Sequence, residues 1–152
     1  MQIRPGDLND HRIIELIQTH VNRARNATAA GSAHALNLTG LRTPDVQFWA
    51  AWEGDRPVAI GALKRLSADH GEIKSMYVDE TARRTGVGGA MLRHIKDIAI
   101  KDGMTRLSLE TGSWSYFSPA RSFYVIHGFV ECGPFADYVP DPNSIFMTID
   151  LT

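Results

Sequence analysis

At 152 residues, 43% hydrophobic and 22% charged, the chain is long enough for one domain with a sizeable core. Its net charge of −1 lacks the basic excess of a dedicated nucleic-acid binder. One cysteine, Cys132, excludes an intramolecular disulfide, and no apolar run forms a signal core or a membrane span, so a soluble cytoplasmic protein is expected.

Taken in order, Gln2-Ile3-Arg4 reads as a short edge strand stopped by Pro5-Gly6. Asp7 or Asn9 then caps a helix whose apolar face is Ile13, Ile14, Ile17 and Val21, fading at Arg23–Asn26. The segment ATAAGSAHALNLTGLRTP has poor periodicity and reads as a long loop with one helical turn around Ala33 to Leu38. Val46 to Glu53 and Arg56 to Leu66 are β-rich on either side of Gly54-Asp55 and form a hairpin. Gly61 inside the second strand signals a bulge or a close backbone approach. Trp49 and Trp52, three apart, point to opposite faces of their strand. A third strand runs from Glu72 to Val78.

The next stretch organises the chain. Arg83-Arg84-Thr85-Gly86-Val87-Gly88-Gly89 is too glycine-rich for a helix interior, and a helix follows with Met91, Ile95 and Ile98 on one face. Lys101 and Gly103 are its stop. A strand, a glycine turn and a helix start make an anion site, because the first N–H groups of a helix lack intrahelical partners and carry the positive end of its dipole. Arg83 and Arg84 add forked cationic donors. From Arg83 to Arg106 six Lys/Arg face two Asp, a local net of +4 in a chain of net −1. The spacing fits neither a dinucleotide fingerprint, since Met91 stands where its third glycine belongs, nor a Walker loop.

Beyond this turn, Thr105 to Glu110 alternates as a strand, Thr111 to Ser118 is a loop, and Ser118-Pro119 opens a short helix, Ala120 to Ile126, ending at Gly128. Phe129 to Cys132 and Ile145 to Leu151 are strands flanking a loop with three prolines. The order β-α-(α)-βββ-α-β-α-β-β describes an α/β (α+β) fold, a mixed central sheet with helices on both faces, as a single domain over 1–152.

Arg83-x-x-Gly86-x-Gly88, placed between that strand and that helix, resembles the [QR]-x-x-G-x-[GA] signature of the GNAT superfamily of N-acetyltransferases. Tyr124-Val125-Ile126-His127-Gly128-Phe129 resembles the family's Y-x-x-x-G-F segment, and the likeness runs essentially the whole chain length. It implies acetyl-coenzyme A as acyl donor and a primary amine on a small molecule or peptide as acceptor, attacking directly with both substrates bound. Thr85, Gly86, Val87, Gly88 and Gly89 would hold the pyrophosphate, and Arg83 or Arg84 the outer phosphates. Met76, Tyr77 and Val78 would offer backbone to the pantetheine arm. Where many relatives carry Asn this chain has Phe117, leaving Ser118 or Arg121 as replacements. Homodimers are common in the superfamily.

Acetyl transfer needs the amine deprotonated, the thioester oxygen stabilised and the thiolate protonated. Glu72 is the candidate base and an acceptor contact. Its plainer reading is an exposed strand-start glutamate paired with Lys74 or Arg65. Tyr124 is the candidate acid, against a reading as a packed core tyrosine. His34 in the long loop and Trp49 are candidate acceptor contacts. Cys132 reads as a buried strand thiol, and the six histidines show no metal-ligand spacing, so no metal is expected. The rival class is a non-catalytic acyl-CoA-binding sensor.

Overall fold

The computed structural model describes residues 1–152. Strands β1 (Gln2–Pro5), β2 (Val46–Glu53), β3 (Arg56–Arg65), β4 (His70–Val78), β5 (Arg106–Gly112), β6 (Val130–Cys132) and β7 (Ser144–Asp150) form one sheet in the order β1-β2-β3-β4-β5-β7-β6. Helices are α1 (His11–Asn26), α2 (Leu38–Leu41), α3 (Val87–Lys101) and α4 (Ser118–Ile126). Every neighbouring pair is antiparallel except β4 and β5, which are parallel and joined through α3. A parallel pair needs such a crossover, because its second strand must begin at the same end as its first.

The sheet divides two cores by strand alternation. Phe48, Ala50, Trp52, Ile60, Ala62 and Tyr77 face the α1 stripe of Ile13, Leu16, Ile17 and Val21. Trp49, Ala51, Leu63, Ile73, Leu107 and Leu109 face Met91, Leu92, Ile95 and Ala99 of α3, with Tyr124 and Phe129 beside them. Trp49 and Trp52 thus do point to opposite faces.

Gly61 supplies both features its position signals. A Cβ there would lie 2.9 Å from Met91 Cγ and 3.0 Å from Ile95 Cδ1, so its absence lets α3 approach the sheet. Opposite it the β3–β4 register passes from Ala62↔Lys74 to Ile60↔Tyr77, an irregularity that leaves Ser75 at φ 54.

Four local expectations are corrected. The α1 cap is Asp10, whose carboxylate accepts from Arg12 N at 2.9 Å, while Asp7 instead accepts from Asn9 N in the preceding turn. The helical turn in the long loop lies at Leu38–Leu41, because Asn37 caps it through Gly40 N. Strand β4 starts at His70, so Glu72 is an interior strand residue. The last helix starts at Ser118 with Phe117 in the cap position and no side-chain cap bond; Arg121 and the packed Phe117 ring hold that end instead.

One irregularity positions the site. The β4–β5 ladder contains only His70↔Arg106, Gly71↔Leu107 and Glu72↔Ser108. Beyond it β4 stays with β3 while β5 follows β7 to its end at Gly112↔Ser144, so the two parallel strands part.

The close approach at Gly61 yields a prediction. Gly61→Val should overpack the α3 contact and lower unfolding free energy by about 1–3 kcal/mol, read as a reduced urea midpoint at unchanged slope.

Candidate functional site

At the head of α3 the backbone is arranged for an anion. Gly86 takes φ +88 as the helix N-cap and contributes no side-chain cap bond. The N–H groups from Arg84 through Gly89 make no backbone hydrogen bond; the first to do so is Ala90, to Gly86 O at 3.0 Å. Thr85 Oγ1 donates to Ala82 O, which tightens the turn. Arg83 Nε donates to Val78 O at 3.2 Å, tying the turn to the end of β4, and its guanidinium lies 5.8 Å from the Tyr77 ring centroid. Arg84 is exposed at φ 62. A row of free donors, a helix dipole and two guanidiniums is the chemistry a pyrophosphate requires. These residues fit a coenzyme's phosphates.

From this turn the parted strands lead to a cluster of ionisable side chains on the α1 face. Ile73, Leu107 and Leu109 point into the α3 core, so Glu72, Lys74, Ser108 and Glu110 point the other way. Glu72 is only 3% exposed. Its Oε2 accepts from Tyr138 OH at 2.6 Å and from Lys74 Nζ at 3.2 Å, and Lys74 Nζ also donates to Tyr138 OH at 2.9 Å. The glutamate is therefore paired with Lys74, as its plainer reading had it, but buried rather than exposed. Burial and the neighbouring Glu72 carboxylate, which also accepts its proton, push the Tyr138 hydroxyl well above the ordinary tyrosine range.

Glu110, partly buried on β5, makes no ion pair. Burial raises its carboxyl above the usual range and the Glu72 charge adds to this, against the opposing pull of Ser144, then of His34 and Lys74. His70 Nε2 and Ser108 Oγ share a 2.7 Å hydrogen bond at the inner end of the cluster.

Tyr124, on α4, lies on the other face of the sheet at 6% exposure, its ring edge-on to Phe123 and Phe129. Burial drives its hydroxyl above the ordinary range, so the phenol keeps its proton. Phe117 packs over the end of β5: a Cβ on Gly112 would sit 2.1 Å from its ring. Arg121 Nη1 donates to Gly112 O at 2.8 Å and Trp114 O at 3.0 Å, so this guanidinium holds the loop after β5. Ser118 is exposed at the helix start.

His34 meets the cluster, its ring edge-on to Tyr138 at 5.1 Å. Trp49 does not: it is buried against α3, edge-on to His94 at 5.1 Å, on the face opposite Glu72. Met76 and Val78 pack toward the α3 core and Tyr77 toward α1, so all three pass the opening with their backbone. Sequence reasoning gave no role to Tyr138 and Glu110. Tyr138 sits in an aperiodic, proline-containing loop that offers no signal. Glu110 was signalled by the alternation of Leu107 and Leu109, which turns it to the opposite face.

The sequence model of the Acetyltransferase (GNAT) family matches residues 13–129. An uncharacterized N-acetyltransferase of Bacillus subtilis (strain 168), YsnE, is 47% identical over 151 residues, covering 99% of this chain and 100% of its own. A second uncharacterized N-acetyltransferase, YedL of Escherichia coli (strain K12), is 41% identical over 149 residues, covering 98% and 94%. The structure of the PaiA N-acetyltransferase of Thermoplasma acidophilum, in complex with coenzyme A, aligns with TM-score 0.76 and 17% identity over 98% of each chain, a likeness of fold. A free-donor turn at a helix head, parallel strands that part beside it, and matches along almost the entire chain place this protein in the GNAT family of acetyltransferases.

Proposed function

We propose that the protein moves the acetyl group of acetyl-coenzyme A to a primary amine by direct attack within a ternary complex. The observation that carries this reading is the unbonded N–H run from Arg84 through Gly89, opening onto parted strands that end at two carboxylates. Bound acetyl-coenzyme A supplies a thioester carbonyl open to attack. Thr85 to Gly89 hold its pyrophosphate, Arg83 and Arg84 its outer phosphates, and the backbone of Met76, Tyr77 and Val78 its pantetheine arm. Ser118 is left to face that arm, since Arg121 is engaged with Gly112 and Trp114.

Two carboxylates can take the amine's proton. Glu72, already bonded to Tyr138 OH, receives it through that hydroxyl or a water. Glu110, with no cation of its own, draws the ammonium in and accepts the proton directly. Tyr124 protonates the departing thiolate. His34, beside Tyr138, borders the acceptor.

Acetyl-CoA and CoA should each raise the thermal midpoint, by about 2.7 kcal/mol of stabilisation at a hundredfold excess over Kd, while ATP and NADH should not. Gly86→Glu, which loads a φ +88 position and adds negative charge to the turn, should abolish the shift. Folded protein giving no shift with either coenzyme would refute the reading.

Glu110→Gln should have opposite effects on activity and stability. Loss of the proton acceptor should lower kcat/KM by about 10²–10⁴-fold. In the wild type that parameter should fall on acidification through a value above the ordinary glutamate range. The raised pKa means the folded state binds the proton more tightly than the unfolded state, so stability is greatest below the ordinary value and declines as pH rises through the raised one. The glutamine variant, neutral throughout, should melt above the wild type at about pH 7 and match it near about pH 4. A variant that melts lower at neutral pH would show that Glu110 has a compensating partner.

Tyr124→Phe should retain coenzyme stabilisation and lower kcat by about 10²-fold or more with thiolate departure impaired. Unchanged turnover with every acceptor would remove Tyr124 from the chemistry.

A further inference from the structure

Outside the sheet, Glu72 meets Tyr138, a loop residue, and Tyr138 meets His34 of a second loop. The roof is made of two loop segments, residues 27–37 and 133–143, and these are joined to each other. Ser32 Oγ donates to Asp141 Oδ2 at 2.7 Å, and Asn143 Nδ2 donates to Ser32 Oγ at 3.4 Å and to Asp141 Oδ1 at 3.0 Å. The His34 and Tyr138 rings meet edge to face beneath this junction, and Tyr138 reaches down to Glu72. A third segment is fastened to the same point. Trp114 Nε1 donates to Asn143 Oδ1 at 2.9 Å, Ser113 N to Asn143 O at 3.0 Å, and Ser113 Oγ to Pro142 O at 2.7 Å.

From this closed roof we infer that the acceptor is a compact small-molecule monoamine and that polypeptide N-termini and lysines are excluded. The inference rests on the acetyl-transfer reading and specifies its acceptor. A peptide that delivers its amine to Glu110 must lead the rest of its chain out between the two roof segments. The Ser32–Asp141–Asn143 junction crosses that exit. Peptides also dock by adding main-chain hydrogen bonds to an exposed strand-like edge. Pro134, Pro140 and Pro142 remove donors from the roof loop, so it makes a poor ladder partner.

The charge inventory sets the acceptor's own charge. Of the two carboxylates beneath the roof, Glu72 is answered by Lys74 at 3.2 Å and Glu110 makes no ion pair, while Asp141 above them is engaged with Ser32 and Asn143. A partly buried charge of this kind is matched by one cation, so one ammonium suits Glu110 and a polyamine brings charge that this carboxylate does not answer. Tyr138, Phe135 and Phe146 pack ring to ring at 5.1 to 5.9 Å between centroids beside the carboxylates, an apolar wall for the body of a compact amine.

The test measures coenzyme A release at saturating acetyl-CoA. Compact monoamines (2-phenylethylamine, cyclohexylamine, benzylamine) are compared with spermidine and with hexapeptides bearing a free N-terminus or an internal lysine. The best monoamine should exceed the best peptide and spermidine in kcat/KM by about 100-fold or more. The double variant Ser32→Ala/Asp141→Ala should narrow the monoamine-to-peptide ratio by about tenfold or more through a gain with peptides. Ser32→Ala alone, which removes the bond to Asp141 and leaves the Asp141–Asn143 turn intact, serves in its place if the double variant does not show coenzyme-dependent stabilisation. A peptide or spermidine equal to the best monoamine, no turnover with any monoamine, or a ratio unmoved by opening the junction would each overturn the inference. Absence of stabilisation of the wild type by acetyl-CoA would instead overturn the transfer reading beneath it.

Discussion

Two parallel strands that hydrogen-bond for three residue pairs and then separate are the constraint from which the rest of this molecule follows. Separation leaves main-chain groups of β4 without a lateral partner on one side, a cost that an ordinary sheet would not carry. It persists because β4 is held by β3 and β5 by β7, so each strand keeps one complete ladder. The crossover helix α3 fastens the opening from one face, with Met91 and Ile95 seated over Gly61. Its unbonded head then lies at the mouth of the opening. The parallel connection thus places a turn of unbonded N–H groups and a gap between strands next to each other.

The two faces of the opening differ in character. On the α3 side, Leu107, Leu109, Tyr124 and Phe129 form a packed apolar surface. On the α1 side, the same strands present Glu72, Lys74, Ser108 and Glu110. Strand alternation alone produces this division, since neighbouring residues along β4 and β5 must point to opposite faces. A buried tyrosine and a pair of carboxylates are thereby set on opposite faces of one sheet.

The parts of this design that depend on near neighbours in sequence were legible. The apolar stripe of α3, the glycine turn before it, the Gly54-Asp55 hairpin and an irregularity at Gly61 all follow from spacing and residue type within a few positions. What depends on distant partners was not. Tyr138 reaches Glu72 across 66 residues of sequence, from a loop without periodicity, so the sequence left Glu72 open between a candidate base and an exposed, paired strand start. The α1 cap was misplaced because Asp7, Asn9 and Asp10 offer competing carboxylate and amide oxygens, and only the backbone path selects Asp10. Trp49 looked equally suited to a cleft and to a core. The side of the sheet on which α3 lies decided for the core.

Lys74 is itself a primary amine lodged beside the gap. Held as a donor to both Glu72 and Tyr138, it turns protons rather than a lone pair toward whatever binds there. The buried ion pair therefore commits this amine to structure: one Nζ joins β4 to a loop 64 residues further along the chain.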